Sequence, residues 1–178
     1  LSAIHEQSPD IHMGVVREAD EDQGAGDQGI MFGYASCESD NYMPLPIELA
    51  LSMLQILSQI RKEEPELMPY LRPDAKGQVT LEYNIDRTPR RVNTIVLSTQ
   101  HDDFVKPHDG MSQAEADRLM QEKISEDVQR IVIPRLIEKY SSKVQNLLDD
   151  QVKYLINPTG RFVLGGPAGD TGLTGRKI

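Results

Sequence analysis

Tryptophan is absent from this 178-residue chain, cysteine occurs once, and phenylalanine only three times. Each scarcity excludes something. A lone Cys37 allows no disulfide framework and no paired-cysteine metal motif. It is expected to be a small buried residue rather than a nucleophile. The four histidines, His5, His12, His101 and His108, show no spacing of the HExxH kind, so no zinc site is expected. No apolar run reaches the roughly 18 residues of a membrane span, and no charged, apolar, small-residue series opens the chain. Neither a membrane protein nor a secretory leader is expected. The chain opens on Leu1 and stops at Arg176-Lys177-Ile178, which together suggest a piece of something longer.

Positive charge is also scarce. Nineteen Lys and Arg against 28 Asp and Glu leave a formal net charge of −9, which argues against a nucleic-acid partner. What basic character there is gathers near the end, where Arg161, Arg176 and Lys177 share a glycine-rich stretch with Asp170. A local basic pocket in an acidic protein suits a small anion better than a polymer.

What is present reads as an α+β protein. Residues 1–29 are polar and rich in turn formers, an exposed and mobile loop. Residues 30–35, Ile-Met-Phe-Gly-Tyr-Ala, suggest a short buried strand. A helix is expected over 47–64, with Ile47, Leu51, Leu54, Leu57 and Ile60 or Arg61 on its apolar face and Pro65 at its end. Residues 78–85 alternate, with Val79, Leu81, Tyr83 and Ile85 on one face, and 92–99 are rich in β formers, with 86–91 as the hairpin loop. Ser112-Gln113-Ala114-Glu115 is a capping box for a second helix, whose apolar face carries Leu119, Met120, Ile124, Val128 and Ile131 until Pro134 kinks or ends it, although 135–140 could continue as a further turn or two. Residues 153–156 form a last strand before the Asn157-Pro158-Thr159-Gly160 turn. The order strand, helix, two strands, helix, strand predicts a two-layer sandwich with a β-α-β-β-α-β repeat.

Four segments break this apolar periodicity. Gly24-Ala25-Gly26-Asp27-Gln28-Gly29 lets the backbone approach a ligand, though composition alone favours a tight turn with an exposed acid. Leu71-Arg72-Pro73-Asp74-Ala75-Lys76 sets a lysine at a strand edge, where it could hold a phosphate oxygen or simply be solvated. Asn157-Pro158-Thr159-Gly160-Arg161-Phe162 puts a cation beside an aromatic, which suits a nucleotide or marks entry into a core. Residues 169–177 combine free backbone N–H groups, threonines and Arg176-Lys177, an assortment fit for an anion.

Together the segments GAGDQGIMFGYA (24–35), LRPDAKGQVTLEY (71–83), LSTQH (97–101) and NPTGRFVLGGPAGDTGLTGRKI (157–178) resemble the signature blocks of the methionine adenosyltransferase family, in the family's order. Gln7-Ser8-Pro9-Asp10-Ile11 resembles the start of its mobile active-site loop, which would run to about residue 17. Only 105–151 has no matching block and reads as scaffold. The resemblance implies intertwined domains of similar fold: residues 1–23 ending the first, 24–162 forming the central one, and 163–178 opening the third. It implies attack of methionine sulfur on C5′ of ATP, expelling a triphosphate that is then hydrolysed, in a cytoplasmic homodimer or homotetramer.

Residue by residue, the resemblance implies that Lys76, Arg176 and Lys177 neutralise phosphates and that Asp74 and Ala75 sit with Lys76 in the nucleotide-binding block. Arg161 and Phe162 would bind ATP, the ring flanking adenine. Asp170 would contact nucleoside and methionine, Gln7 would face methionine, and Asp27 would make a polar contact in the active site. The family's His-Pro-Asp block and a later Lys- and Asp-bearing block are missing, so ligands for Mg²⁺ and K⁺ are expected outside these residues and the chain by itself is expected to be inactive. A non-catalytic regulatory or dimerising module of the same fold, or an unrelated nucleotide-binding α+β protein, would lack the need for these blocks together.

Overall fold

The computed structural model describes residues 4–26 and 29–172. They fall into two units, Leu1–Tyr34 and Ala35–Ile178. In the first, helix α1 (Pro9–Val15) forms where featureless loop was expected. Proline at its first position and Ser8, whose hydroxyl accepts from the Ile11 N–H, explain its start. No residue of α1 is buried, and Gly24 N–H closes the unit by donating to Val15 O at 2.8 Å.

The second unit is built on α2 (Leu45–Glu63) and the antiparallel hairpin β1 (Leu71–Tyr83) and β2 (Pro89–His101). Its first helix has no cap from its own N-cap residue. Glu38 supplies one from upstream, accepting the Leu45 N–H at 2.9 Å. The buried stripe of α2 is Leu45, Leu49, Met53, Ile56, Leu57 and Ile60, whereas Ile47 and Leu51 are nearly half exposed. The sequence offers two stripes at helical spacing, and the one starting at Leu45 faces the sheet. Contact is close at Gly77, where a Cβ would lie 3.2 Å from Met53 Cε and 3.3 Å from Ala50 O.

Val79, Ile95 and Leu97 meet α2 across the core, each burial contributing on the order of 1.5–3 kcal/mol. The other face of β1 carries exposed Lys76, Gln78 and Thr80. Ile85 is fully exposed, because the hairpin turns at 84–88, earlier than the alternation suggested.

Helix α3 (Gln113–Asp127) starts at Ser112, whose hydroxyl accepts the Glu115 N–H at 3.2 Å. The Glu115 carboxylate turns instead to Arg118. Pro134 does not end the helix. Residues Val128–Val132 form a π turn in which Ile133 N–H reaches Val128 O, and α4 (Ile133–Glu138) continues beyond it. The wider turn makes room for a ring that would otherwise crowd the preceding carbonyls. The buried residues Ala116, Met120, Ile124, Val128, Val132 and Leu136 recur every four positions, a spacing that drifts around a regular α-helix. Because the π turn winds less per residue, it brings that stripe back onto the core. Leu119 and Ile131 are only half-buried.

After α5 (Ser142–Gln145), β3 (Lys153–Ile156) pairs parallel with β2, giving a three-stranded sheet in the order β1-β2-β3. The described fold is therefore α+β, with a small sheet and helices. Residues 30–35 form no strand, and Ile30, Met31, Phe32 and Tyr34 are 80–96% exposed. An apolar run becomes a strand only when its backbone finds a ladder partner, and none engages it among the described residues. Cys37 is exposed, contrary to the expected burial, because it lies in the turn-rich stretch before α2.

Candidate functional site

The polar residues that matter collect where β2 ends. Beyond β3 the chain turns at Asn157, which is buried and holds φ at +43°. Its side chain continues the ladder: Oδ1 accepts the Thr99 N–H at 2.8 Å and Nδ2 donates to Thr99 O at 3.0 Å. Gly160 N–H closes the turn onto Asn157 O at 2.8 Å. The chain then runs back along the end of β2. His101 N–H donates to Phe162 O at 3.0 Å, and Phe162 N–H donates to His101 Nε2 at 3.1 Å. Gln100 Nε2 donates to Val163 O at 3.0 Å.

From β1, Asp74 reaches the same loop. Its Oδ2 accepts the Gly166 N–H at 2.9 Å, while its own N–H donates to Gln100 Oε1 at 3.3 Å. A Cβ on Gly165 would sit 2.9 Å from Asp74 Oδ2, 2.9 Å from Phe162 Cε2 and 3.0 Å from Gln100 Cδ. Asp74 and Phe162, far apart in sequence, are thus packed around one glycine.

Charges beside this loop largely pair off. Arg161 binds Asp103 at 2.8 Å and lies 3.9 Å from Asp117, Lys106 binds Asp103 at 2.9 Å, and Arg72 binds Asp102. The hydrogen bond from Lys106, and after it the charge of Arg161, hold the Asp103 carboxyl below its ordinary value against the opposing effect of burial. Asp103 Oδ1 is buried without a hydrogen-bond partner among the described residues. Lys76, two residues along β1 from Asp74, is exposed and has no ion pair among the described residues. Ala75 packs toward the core, beside a cavity of about 90 Å³ under α2, so only its backbone can serve a ligand.

A second polar group supports the site from behind. Asp127 is buried and receives Tyr70 Oη at 2.7 Å, Lys123 Nζ at 2.7 Å and Arg130 at 3.1 Å. Burial pushes its carboxyl up, but the hydrogen bonds from Lys123, Tyr70 and Arg130 outweigh that and the net direction is down. Burial first, then Asp127, push the Tyr70 phenol well up, so it stays a donor. The Tyr70 ring stacks on Phe104 at 4.5 Å between centroids, and Phe104 meets the His101 ring edge-on at 6.0 Å.

The structure therefore brings together Asp74, Phe162 and Arg161, with Lys76 next along the strand. Asp170 is exposed after the 3₁₀ turn Gly166–Ala168, its N–H on Gly166 O at 3.1 Å. Gln7 lies exposed in the first unit, its Nε2 3.1 Å from where a Gly26 Cβ would be. Asp27, Arg176 and Lys177 lie outside the described residues. Gln100, His101, Asp103 and Asn157 were given no individual role by sequence reasoning. The signal available was a polar run, Thr99-Gln100-His101-Asp102-Asp103, following the apolar stretch Ile95-Val96-Leu97 of β2. Among the described residues no three His, Cys, Asp or Glu gather as a metal site, and no helix is long and apolar enough to cross a membrane.

Three relatives are each called S-adenosylmethionine synthase. The protein of Parabacteroides distasonis is 60% identical over the whole chain, those of Porphyromonas gingivalis (strain W83) and Bacteroides thetaiotaomicron 58%. The chain spans only 41–42% of the length of these curated relatives. Residues 22–162 match the family described as S-adenosylmethionine synthetase, central domain. That match covers most of the chain, including the hairpin and the turn as far as Phe162, and the chain belongs to the S-adenosylmethionine synthetase family.

Proposed function

We propose that the chain is the central part of a methionine adenosyltransferase, forming S-adenosylmethionine from ATP and L-methionine with release of pyrophosphate and phosphate. The observation that carries this reading is the packing of Asp74 and Phe162 around Gly165, with Arg161 beside them. That packing joins two of the nucleotide-type segments into one place.

The sulfur of methionine displaces the whole triphosphate from C5′, so no protein nucleophile is required. The barrier is the charge that grows on the leaving oxygens, and fixed cations lower it. In this reading Lys76, Arg176 and Lys177 meet the triphosphate as it departs. Phe162 flanks adenine, and Arg161 binds the nucleotide while Asp103 holds its guanidinium in place. The backbone at Ala75 lies against the nucleotide between Asp74 and Lys76. Asp170 contacts nucleoside and methionine, Gln7 faces methionine, Asp27 adds a polar contact, and residues 7–17 close to exclude water. The described residues offer no cluster that fits a metal ion. Because the His-Pro-Asp block and the later Lys- and Asp-bearing block are missing from this sequence, Mg²⁺ and K⁺ are assigned to ligands elsewhere in the longer protein, and none of these steps is routed through them. The reading also divides the longer protein at about residues 23 and 162 and places it in the cytoplasm as a homodimer or homotetramer.

The experiment is a turnover assay on the full-length protein carrying this chain, supplied with ATP, methionine, Mg²⁺ and K⁺. S-adenosylmethionine should form, and the 178-residue chain by itself should form none. Lys76→Ala should lower kcat by about 10²–10³, the scale for removing one fixed charge-stabilising group. A full-length protein without product, or an unimpaired Lys76→Ala, overturns the reading.

A further inference from the structure

We propose that His101 is a positioning residue for the nucleotide subsite, fixing Phe162 and with it Arg161; this rests on the reading above. Both polar backbone atoms of Phe162 end on His101: its carbonyl accepts the His101 N–H at 3.0 Å, and its N–H donates to the ring at Nε2, 3.1 Å away. Since Nε2 accepts, Nδ1 carries the ring proton and donates it to Asp102 O at 2.7 Å. The ring is 1% exposed and set edge-on against Phe104, so it cannot swing to another partner.

The side chain thus does the work of one more residue of sheet. Beyond His101 the hairpin has no further backbone rung to offer the loop. The imidazole supplies the missing acceptor and sets where Phe162 leaves the strand. Fixing that backbone fixes the origin of the aromatic ring and of the adjoining Arg161, whose guanidinium Asp103 receives from the same end of β2. A loop so held needs little ordering when a nucleotide arrives, and the gain appears in binding rather than in chemistry. A residue that only filled space beside Phe104 would have no reason to place an acceptor at Nε2.

Three substitutions in the full-length protein separate these roles. His101→Gln can present an oxygen where Nε2 lies. His101→Asn can replace only the Nδ1 donor, and His101→Met fills the space with neither. His101→Met and His101→Asn should raise KM for ATP about tenfold with kcat changed less than about twofold, while His101→Gln stays within about threefold, as expected when a buried N–H loses or keeps its acceptor. Hydrogen exchange at the Phe162 amide reads the contact without any turnover. It should speed up at least about tenfold in the Met and Asn proteins and stay slow in the Gln protein. If the Gln and Met proteins behave alike, or if Met matches the parent in KM and exchange, the proposal fails. A full-length parent that makes no S-adenosylmethionine refutes the functional reading instead, and the exchange measurement then still decides whether His101 holds Phe162.

Discussion

Removing the hydroxyl of Tyr70 tests how much the buried Asp127 carboxylate depends on it. In Tyr70→Phe the carboxylate loses a buried donor at 2.7 Å. Hydrogen bonds to charged groups are worth about 1.5–3 kcal/mol, so a loss near 2 kcal/mol is expected. Lys123 and Arg130 compensate poorly, because their side chains are 47% and 64% exposed and pairs with exposed cations contribute about 0–1 kcal/mol each. Asp127→Ala should cost about 2–4 kcal/mol, since it also strands the Tyr70 hydroxyl without an acceptor. The double variant should cost about 1.5–2 kcal/mol less than the sum, the signature of groups that act on each other. Urea unfolding followed by far-UV circular dichroism measures this in a chain without tryptophan. Acidity gives an independent check. The folded Asp127 carboxyl titrates below its unfolded value, so its contribution is present above the ordinary aspartate range and is lost as pH falls through the folded value. The gap between parent and Asp127→Ala should therefore shrink in acid. Additivity within about 0.5 kcal/mol, or a gap undiminished near pH 3, refutes the reasoning.

Asn157→Ala should destabilise by about 3 kcal/mol, since Thr99 loses both ladder partners and alanine tolerates a positive φ poorly. Asn157→Gly should recover only about 1 kcal/mol of that, by relieving the backbone alone; a urea midpoint unmoved by Asn157→Ala would contradict the account. Gly165→Ala should push Phe162 away from Asp74 and weaken ATP binding about tenfold in calorimetry on the full-length protein, with little change in thermal midpoint because the loop lies outside the core.

The parts legible in the sequence are those whose cause is local. The capping box placed Ser112 at the start of α3, β-rich runs placed β2 and β3, and helical spacing placed α2. Two of the expectations that failed did so because their causes lie elsewhere in the fold. Residues 30–35 have strand composition but no ladder partner among the described residues, and composition cannot say where a partner is. For α2 the sequence contains two acceptable stripes, and only the sheet decides that Leu49 rather than Leu51 is buried. The site shows the same division. Asp74 and the Arg161-Phe162 pair stood out as breaks in the apolar pattern, and Asp74 and Phe162 come together at Gly165. The roles of Gln100, His101 and Asn157 arise from hydrogen bonds across about 60 residues of chain, which no spacing rule detects.

The π turn before Pro134 fixes the length of its segment. Each residue advances an α-helix by about 100°, so shortening 128–132 by one would swing Ile133 and Leu136 about a quarter-turn off the core. It would also carry Arg135 away from Glu64, which it grips at 2.6 and 2.9 Å at the end of α2. Substitutions that keep the count can be absorbed one side chain at a time. A deletion there would misdirect everything downstream at once, which makes residue number, more than residue type, the quantity this stretch must preserve.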